Sequence, residues 1–346
     1  MRVVACRDGG GLGIEERPSP RPSDGEVVLR LRVCGLCGTD LFKLASGRVR
    51  DGQVLGHELV GTVAAVGRGV REVREGDRVV VPHHVACGRC SLCRRGAKTM
   101  CPEFKHNLMD PGGFAEYVRI GEPGVRHAMR QVPDDVRDAA ASFVEPAACV
   151  LRGVDKAMVT VDSGSAVVLG AGSMGLLHLL VLRAVRPGLR VVVCDPDIRR
   201  RGVASRLGAY AVCGSEPDEL AEAAGAASDG LGADAVFDTV GGSGPLIAAL
   251  DTLRPGGTVV LFAHAAEGET AGFELNPMFT RELKVVATYS GTVEEQERIA
   301  TLIFSHRLDA SPLVTHRMPL DRIEEAVELA RERRALKVLM TPGVAS

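Results

Sequence analysis

Val167-Val168-Leu169-Gly170-Ala171-Gly172-Ser173-Met174-Gly175 decides how the second half of this 346-residue chain folds. Three apolar residues run into a Gly-x-Gly-x-x-Gly turn, and a Leu-rich stretch follows. A strand, a tight turn and a helix account for that order. Each glycine has its own task. Gly170 permits the turn, Gly172 lets backbone approach a pyrophosphate, and Gly175 lets the helix pack close to the sheet. The free N–H groups and positive dipole end of the helix would then receive phosphate, beside Ser173 and Met174. A lone turn of this kind is weak evidence, but the context here is specific. A second β-branched run, Arg190–Cys194, ends on Asp195, twenty positions beyond Gly175. An acidic residue there bonds the adenosine ribose hydroxyls and repels a 2′-phosphate, which favours NAD. Arg199, Arg200 and Arg201 follow closely, and arginine is how such sites admit NADP. We place Arg200 near the adenine and read the other two as a solvated helix face.

Working outward, short β-branched runs alternate with helical segments from Ser165 onward. The expected strands are 166–169, 190–194, 210–213, 233–238, 258–263 and 283–288, with helices starting near Ser173, Asp197, Glu216 and Ser243. Such alternation means a doubly wound parallel sheet. The first 150 residues differ, being β-rich and broken by Gly and Pro, which suggests a partly open barrel. Beyond Thr288 two amphipathic helices, about 293–305 and 320–333, precede a last strand at 336–340. That tail is too small to fold alone and is expected to return to the first domain. The domains are therefore read as 1–150, 151–288 and 289–346.

Bulk composition narrows the function. Hydrophobic residues make up 45% and charged residues 25%, with a formal net charge of -2. That balance offers nothing to nucleic acid or an anionic membrane. Aromatic content is 3% with no Trp, so few rings are available to stack on bases. Met1 to Cys6 runs into Arg7 and Asp8 with no apolar core of a signal peptide, and a cytoplasmic location is expected. The apolar stretch 166–185 contains three glycines, His178 and Arg183, which argues against a membrane span.

Of the ten cysteines, Cys87, Cys90, Cys93 and Cys101 fall within fifteen residues as C-x2-C-x2-C-x7-C. Four thiolates complete a tetrahedral zinc shell and leave no open position, so this metal is structural. A nucleic-acid zinc ribbon is the rival, since Arg89, Arg94, Arg95 and Lys98 lie in the loop, but the slightly acidic chain does not support it.

The order Cys34-Gly35-Leu36-Cys37-Gly38-Thr39-Asp40, then Gly56-His57-Glu58, then the cysteine loop, then the glycine turn resembles the zinc-containing medium-chain dehydrogenase/reductase family. The resemblance covers essentially the whole chain. It is closest to the polyol (sorbitol/iditol-type) and threonine dehydrogenase branch, because Val144-Glu145-Pro146-Ala147-Ala148-Cys149 stands where alcohol dehydrogenases place a ligand cysteine. It implies a GroES-like catalytic domain, an inserted Rossmann domain, and homodimers or homotetramers. It also implies that Cys37 and His57 bind a catalytic zinc, with the carboxylate supplied by Glu58 or Glu145. A catalytic zinc wants three such ligands and one labile site. Thr39 would open a proton relay. Many members place His three residues later, where this chain has Phe42, and a phenyl ring cannot pass a proton. His83 would line the substrate pocket; the alternative is a strand-end histidine. Cys34, Cys6, Cys149, Cys194 and Cys213 read as buried small residues.

The function expected is transfer of a hydride between NAD and a secondary alcohol, a polyol, sugar or amino alcohol. Within the fold the alternatives are a threonine-type or simple alcohol dehydrogenase. A zinc-free quinone or enone reductase would not need Cys37, His57 and Glu58, and a non-enzymatic binding protein would need none of these groups.

Overall fold

Ser165–Leu169 is buried along its whole length and lies inside a six-stranded sheet. Across that sheet the strands are Ala211–Cys213, Arg190–Cys194, Ser165–Leu169, Ala233–Asp238, Leu253–Leu261 and Lys284–Ala287, every adjacent pair parallel. In chain order this is 3-2-1-4-5-6, the arrangement of a doubly wound dinucleotide fold. A central strand covered on both faces must be apolar throughout, which is why 166–169 carries no polar alternation. This computed structural model describes residues 1–157 and 164–343. They form two compact units, Cys149–Ser290 and Met1–Ala148 with Gly291–Ser346.

In the first-mentioned unit, the turn after Ser165–Leu169 depends on two glycines. Gly170 has φ +93°, a conformation that costs other residues about 1–2 kcal/mol. At Gly175 a Cβ would stand 1.8 Å from the Gly170 carbonyl oxygen, so the helix Ser173–Val185 can seat against the turn only without a side chain. That helix then buries Leu176, Leu177, Leu179, Val181 and Leu182, each contributing roughly 1.5–3 kcal/mol of transfer free energy. Helices Ile198–Arg206, Pro217–Ala227 and Ser243–Thr252 follow the second, third and fourth strands.

Two elements depart from expectation. The fifth strand begins at Leu253, five residues early, because its register shifts between Ala233 and Ala235 of its neighbour. The bulge lets Arg254-Pro255-Gly256-Gly257, which reads as a turn, stay in the strand. A short helix, Leu275–Thr280, was not expected. Its Leu275 and Phe279 are 77% and 82% exposed, so it has no buried stripe to betray it.

In the other unit the strand Val27–Gly35 pairs antiparallel with Glu58–Val66, Tyr117–Ile120 and Lys337–Thr341. Its Arg30 and Arg32 face solvent while Leu29, Leu31 and Val33 are buried, the alternation of a half-buried sheet. The tail does return here. Leu339 pairs with Gly35 and Met340 with Cys34, and helix Ile323–Arg331 buries Ile323, Ala326, Val327 and Leu329. Among the described residues no helix is long and apolar enough to cross a membrane.

Candidate catalytic metal centre and cofactor site

The strand Val27–Gly35 delivers the first candidate ligand. Cys37 caps the helix Gly38–Ala45, and its sulfur accepts the Thr39 N–H at 3.4 Å. Asp40, 1% exposed, closes the capping box by accepting the Cys37 N–H at 3.1 Å. Its other oxygen accepts the Gly56 N–H at 3.4 Å and stands 3.5 Å from His57 Nδ1. One buried carboxylate thus fixes both Cys37 and His57, leaving His57 Nε2 for a metal. Burial works against a charge on His57, but Asp40 and Cys37 outweigh it and hold its pKa well above the ordinary value. Sequence reasoning missed Asp40; the signal was an acidic residue at the third helical position after a capping residue.

The donor atoms of Cys37, His57 and Glu58 lie within 4.8 Å of one another. A thiolate, an imidazole and a carboxylate gathered this closely suit zinc with one position open. Glu58 is 1% exposed and bonded to Lys337, a residue on the last strand to which sequence reasoning gave no role. Glu145 sits in the first turn of helix Val144–Ala157, 8% exposed, with its carboxylate 3.8 Å from His83 Nδ1. The His83 ring centroid is 4.7 Å from that of His57 and 3.8 Å from that of His84. Burial, then the neighbouring His57 and His84, push the His83 pKa well below its ordinary value. His83 Nδ1 is buried and has no hydrogen-bond partner among the described residues. Leaving such a group without a partner costs about 1–3 kcal/mol. Thr39 is half-buried. Phe42 stacks with Arg48, 5.6 Å from ring centroid to guanidinium carbon. Cys34 is fully buried beside Gly35 and stands outside the donor cluster.

The sulfurs of Cys87, Cys90, Cys93 and Cys101 also lie within 4.8 Å of one another, with 4.0 Å between those of Cys87 and Cys93. A tetrahedral shell with Zn–S near 2.3 Å has edges of about 3.8 Å, so the donor set fits zinc. All four are free thiols. Backbone N–H groups of Cys87, Cys90 and Cys93 point at neighbouring sulfurs, which favours thiolates. Burial raises the Cys101 thiol, but the N–H groups of Cys87 and Phe104 prevail and bring it down to about 6. The apolar cluster here is Cys93, Cys101 and Phe104, with a few half-buried neighbours. That is too little to hold a lobe without a cross-link.

In the unit Cys149–Ser290, Asp195 directly follows the second strand, 6% exposed. Its carboxylate accepts the Ala171 N–H at 2.7 Å and the Asp197 N–H at 2.8 Å, so it is oriented beside the glycine turn. The three arginines separate. Arg199 is exposed and pairs with Asp197. Arg200 lies over the turn, 3.7 Å from where a Cβ of Gly172 would stand. Arg201 is not a solvated side chain as expected, because it donates to the Asp195 carbonyl at 3.1 Å. Gly172 caps the helix without a side chain to bond its N–H groups, which leaves them for an anion.

One unit with the strand order of a dinucleotide-binding sheet, and another with a zinc-type donor set, are the parts that a metal-dependent dehydrogenase needs. Residues 23–130 match the alcohol dehydrogenase GroES-like domain and residues 173–305 the zinc-binding dehydrogenase domain. The chain is 30% identical to the L-threonine 3-dehydrogenase of Pyrococcus horikoshii, over 98% of this chain and 97% of that one. It is 26% identical to the sorbitol dehydrogenase of Bacillus subtilis, over 99% and 98%. A protein of Sinorhizobium meliloti 1021, described as a zinc-binding dehydrogenase and solved with NADP bound, superposes with a TM-score of 0.88. It is 26% identical, over 99% of each chain. The chain belongs to the zinc-containing medium-chain dehydrogenase/reductase (alcohol dehydrogenase) family, and is a zinc-dependent oxidoreductase acting on CH–OH groups.

Proposed function

We propose that this protein oxidises a polar secondary alcohol, a polyol, sugar or amino alcohol, with NAD. The observation that carries the reading is the gathering of Cys37, His57 and Glu58, with Glu145 and the buried, unbonded His83 Nδ1 beside them. A simple alcohol has no second polar group for His83, whereas a polyol or amino alcohol has. The relatives named for threonine and sorbitol act on alcohols of this kind.

In this reading Met1–Ala148 and the returning tail hold the alcohol and both metals, and residues 151–288 hold the cofactor. Cys37, His57 and one of Glu58 or Glu145 hold the catalytic zinc; Cys87, Cys90, Cys93 and Cys101 hold the structural one. Zinc held by these residues would supply a Lewis acid that lowers the pKa of the carbinol proton, and NAD held at the glycine turn would supply the hydride acceptor. Asp40 keeps His57 and Cys37 in place. Thr39 takes the carbinol proton on its hydroxyl. Phe42 cannot take it further, so water or a ribose hydroxyl does. Asp195 accepts from the ribose hydroxyls and disfavours a 2′-phosphate, while Arg200 and the N–H groups after Gly172 meet the pyrophosphate. The protein works in the cytoplasm, where its ten cysteines stay reduced. It forms homodimers or homotetramers. Lys284–Ala287 ends the sheet as an open edge, with exposed Leu275 and Phe279 nearby in sequence, features that favour self-association.

The test is NAD(P)H formation at 340 nm over paired substrates: L-threonine, sorbitol, galactitol, butane-2,3-diol and propan-2-ol, each with NAD and with NADP. Chelator-sensitive turnover with NAD on the polar members is expected. Preference for propan-2-ol, or for NADP, would overturn the respective part.

A further inference from the structure

Cys194 and Cys213 belong to neither candidate metal site. They end the neighbouring parallel strands Arg190–Cys194 and Ala211–Cys213, directly opposite each other in register. Register partners project to one face of a sheet, and both side chains lie in one apolar cluster. Neighbouring strands are about 4.8 Å apart, inside the Cα separation of about 4.4–6.8 Å that a disulfide spans. Both residues are thiols in the structure. They are 5% and 8% exposed, and Ala211–Cys213 is the edge strand of its sheet, so a small reagent has access at the strand ends. The two sulfurs are unequal. The Cys194 thiol meets two acceptors, the Gly214 carbonyl oxygen at 2.9 Å and the Cys213 sulfur. Its bond to Cys213, then burial, raises its pKa. The same bond, helped by Arg201, holds Cys213 below the ordinary thiol range against burial and the Glu219 carboxylate. The Arg201 guanidinium lies 3.2 Å from where a Cβ of Gly214 would stand.

We propose that Cys194 and Cys213 are an oxidative modification site, closed to a cross-strand disulfide by a hydroperoxide, and that closure weakens the protein's hold on its cofactor. The second part rests on the reading of Asp195 as the ribose partner. With hydrogen peroxide as oxidant, the Cys213 thiolate attacks one oxygen. An S–O bond forms, the O–O bond breaks, and hydroxide leaves with the electron pair. The sulfur, oxidised by two electrons, is now a sulfenic acid. Cys194 attacks that sulfur; the S–S bond forms, the S–O bond breaks, and the departing hydroxide takes the Cys194 proton as water. Two thiols and one peroxide thus become one disulfide and two waters. The bridge needs Cβ atoms about 3.8 Å apart, roughly 1 Å less than the strand spacing, so the two strand ends are drawn together. Asp195 follows Cys194 directly, and its N–H donates to the Cys213 carbonyl at 3.1 Å. It moves with those ends, away from the Ala171 N–H that orients its carboxylate at 2.7 Å.

The experiment treats the whole zinc-loaded chain with stoichiometric hydrogen peroxide and records the peptide map, NADH affinity by fluorescence, and zinc content. Arg199, Arg200, Arg201 and Arg206 lie between the two cysteines, so trypsin leaves them on separate peptides and a link is read as their summed mass. The linked pair should appear, NADH should bind about tenfold more weakly, as for one lost hydrogen bond, and zinc should stay bound. Dithiothreitol should reverse both changes. C194S should keep its NADH affinity under peroxide and carry a dimedone-reactive sulfenic acid at Cys213. C213S should show neither a link nor a label at Cys194. Cys194 and Cys213 recovered as free thiols from the treated wild type would overturn the proposal. A link formed with unchanged NADH affinity would overturn its effect on the cofactor. Equal loss of affinity in the wild type and both serine variants would place the damage elsewhere and also overturn it. If neither variant folds, the wild-type map and its reversal by dithiothreitol decide. An untreated wild type that does not bind NADH would refute the reading of Asp195 instead, while the map still tests the disulfide.

Discussion

Gly175→Ala tests the link between the glycine turn and cofactor binding. The new Cβ would lie 1.8 Å from the Gly170 carbonyl oxygen and 3.1 Å from Thr239 Oγ1, whereas real Cβ contacts stay beyond 3.0 Å. The helix Ser173–Val185 must therefore move by at least the difference, 3.0 minus 1.8 or 1.2 Å. A hydrogen bond from its first N–H groups to phosphate, near 2.9 Å, would be stretched past 4 Å and lost. One or two charge-assisted bonds of about 1.5–3 kcal/mol each are at stake. NADH should bind roughly ten- to ten-thousandfold more weakly, at about 1.4 kcal/mol per factor of ten. Overpacking should also cost about 1–3 kcal/mol of stability. Fluorescence titration with NADH and thermal melting measure the two effects. Gly225→Ala is the control: it lies in the helix Pro217–Ala227 with nothing within 4 Å of its Cβ position, and should be neutral or stabilising by up to about 1 kcal/mol. Unchanged NADH affinity in Gly175→Ala would refute the reasoning.

Asp40→Asn should weaken catalytic zinc about 10- to 100-fold without unfolding the chain, read by competition with a chromogenic chelator; equal affinity would remove Asp40 from the account. Cys93→Ala should open the four-sulfur shell and lower melting temperature or expression, and wild-type melting with full zinc content would contradict this. His178 is buried, with burial pushing its pKa down to about 4 from 6.5. Its folded-state pKa is depressed, so the unfolded chain takes the proton first as pH falls. The cost is absent above 6.5, grows below it, and is complete near 4, where it amounts to about 3 kcal/mol. Urea melts should show His178→Leu gaining on the wild type by that order between pH 7 and pH 4, and parallel curves would refute it.

The parts of this molecule that were legible in sequence are those in which one local constraint does the work. Gly170 needs a positive φ, Gly175 must approach a carbonyl, and four cysteines must close one shell, so spacing alone exposes them. The expected strands around 190–194 and 233–238 have the observed limits because uninterrupted β-branched runs mark buried parallel strands. What was not legible depends on partners remote in the chain. Lys337 meets Glu58 across 279 positions, and in sequence it is merely a lysine opening a strand. Helix Val144–Ala157, which carries Glu145, hides its start because Pro146 in the first turn reads as a breaker, although proline is tolerated there. Arg201 looks like its exposed neighbour Arg199 until the fold brings the Asp195 carbonyl to it.

Zinc content and NAD-linked turnover of Cys37→Ala beside the wild type test the central claim most directly. The account predicts two zinc ions per chain in the wild type and one in the variant, with near-native melting, because the cysteine-loop site is separate and closed. It also predicts that turnover at 340 nm disappears. A Cys37→Ala protein that keeps both zinc ions and wild-type turnover would contradict it.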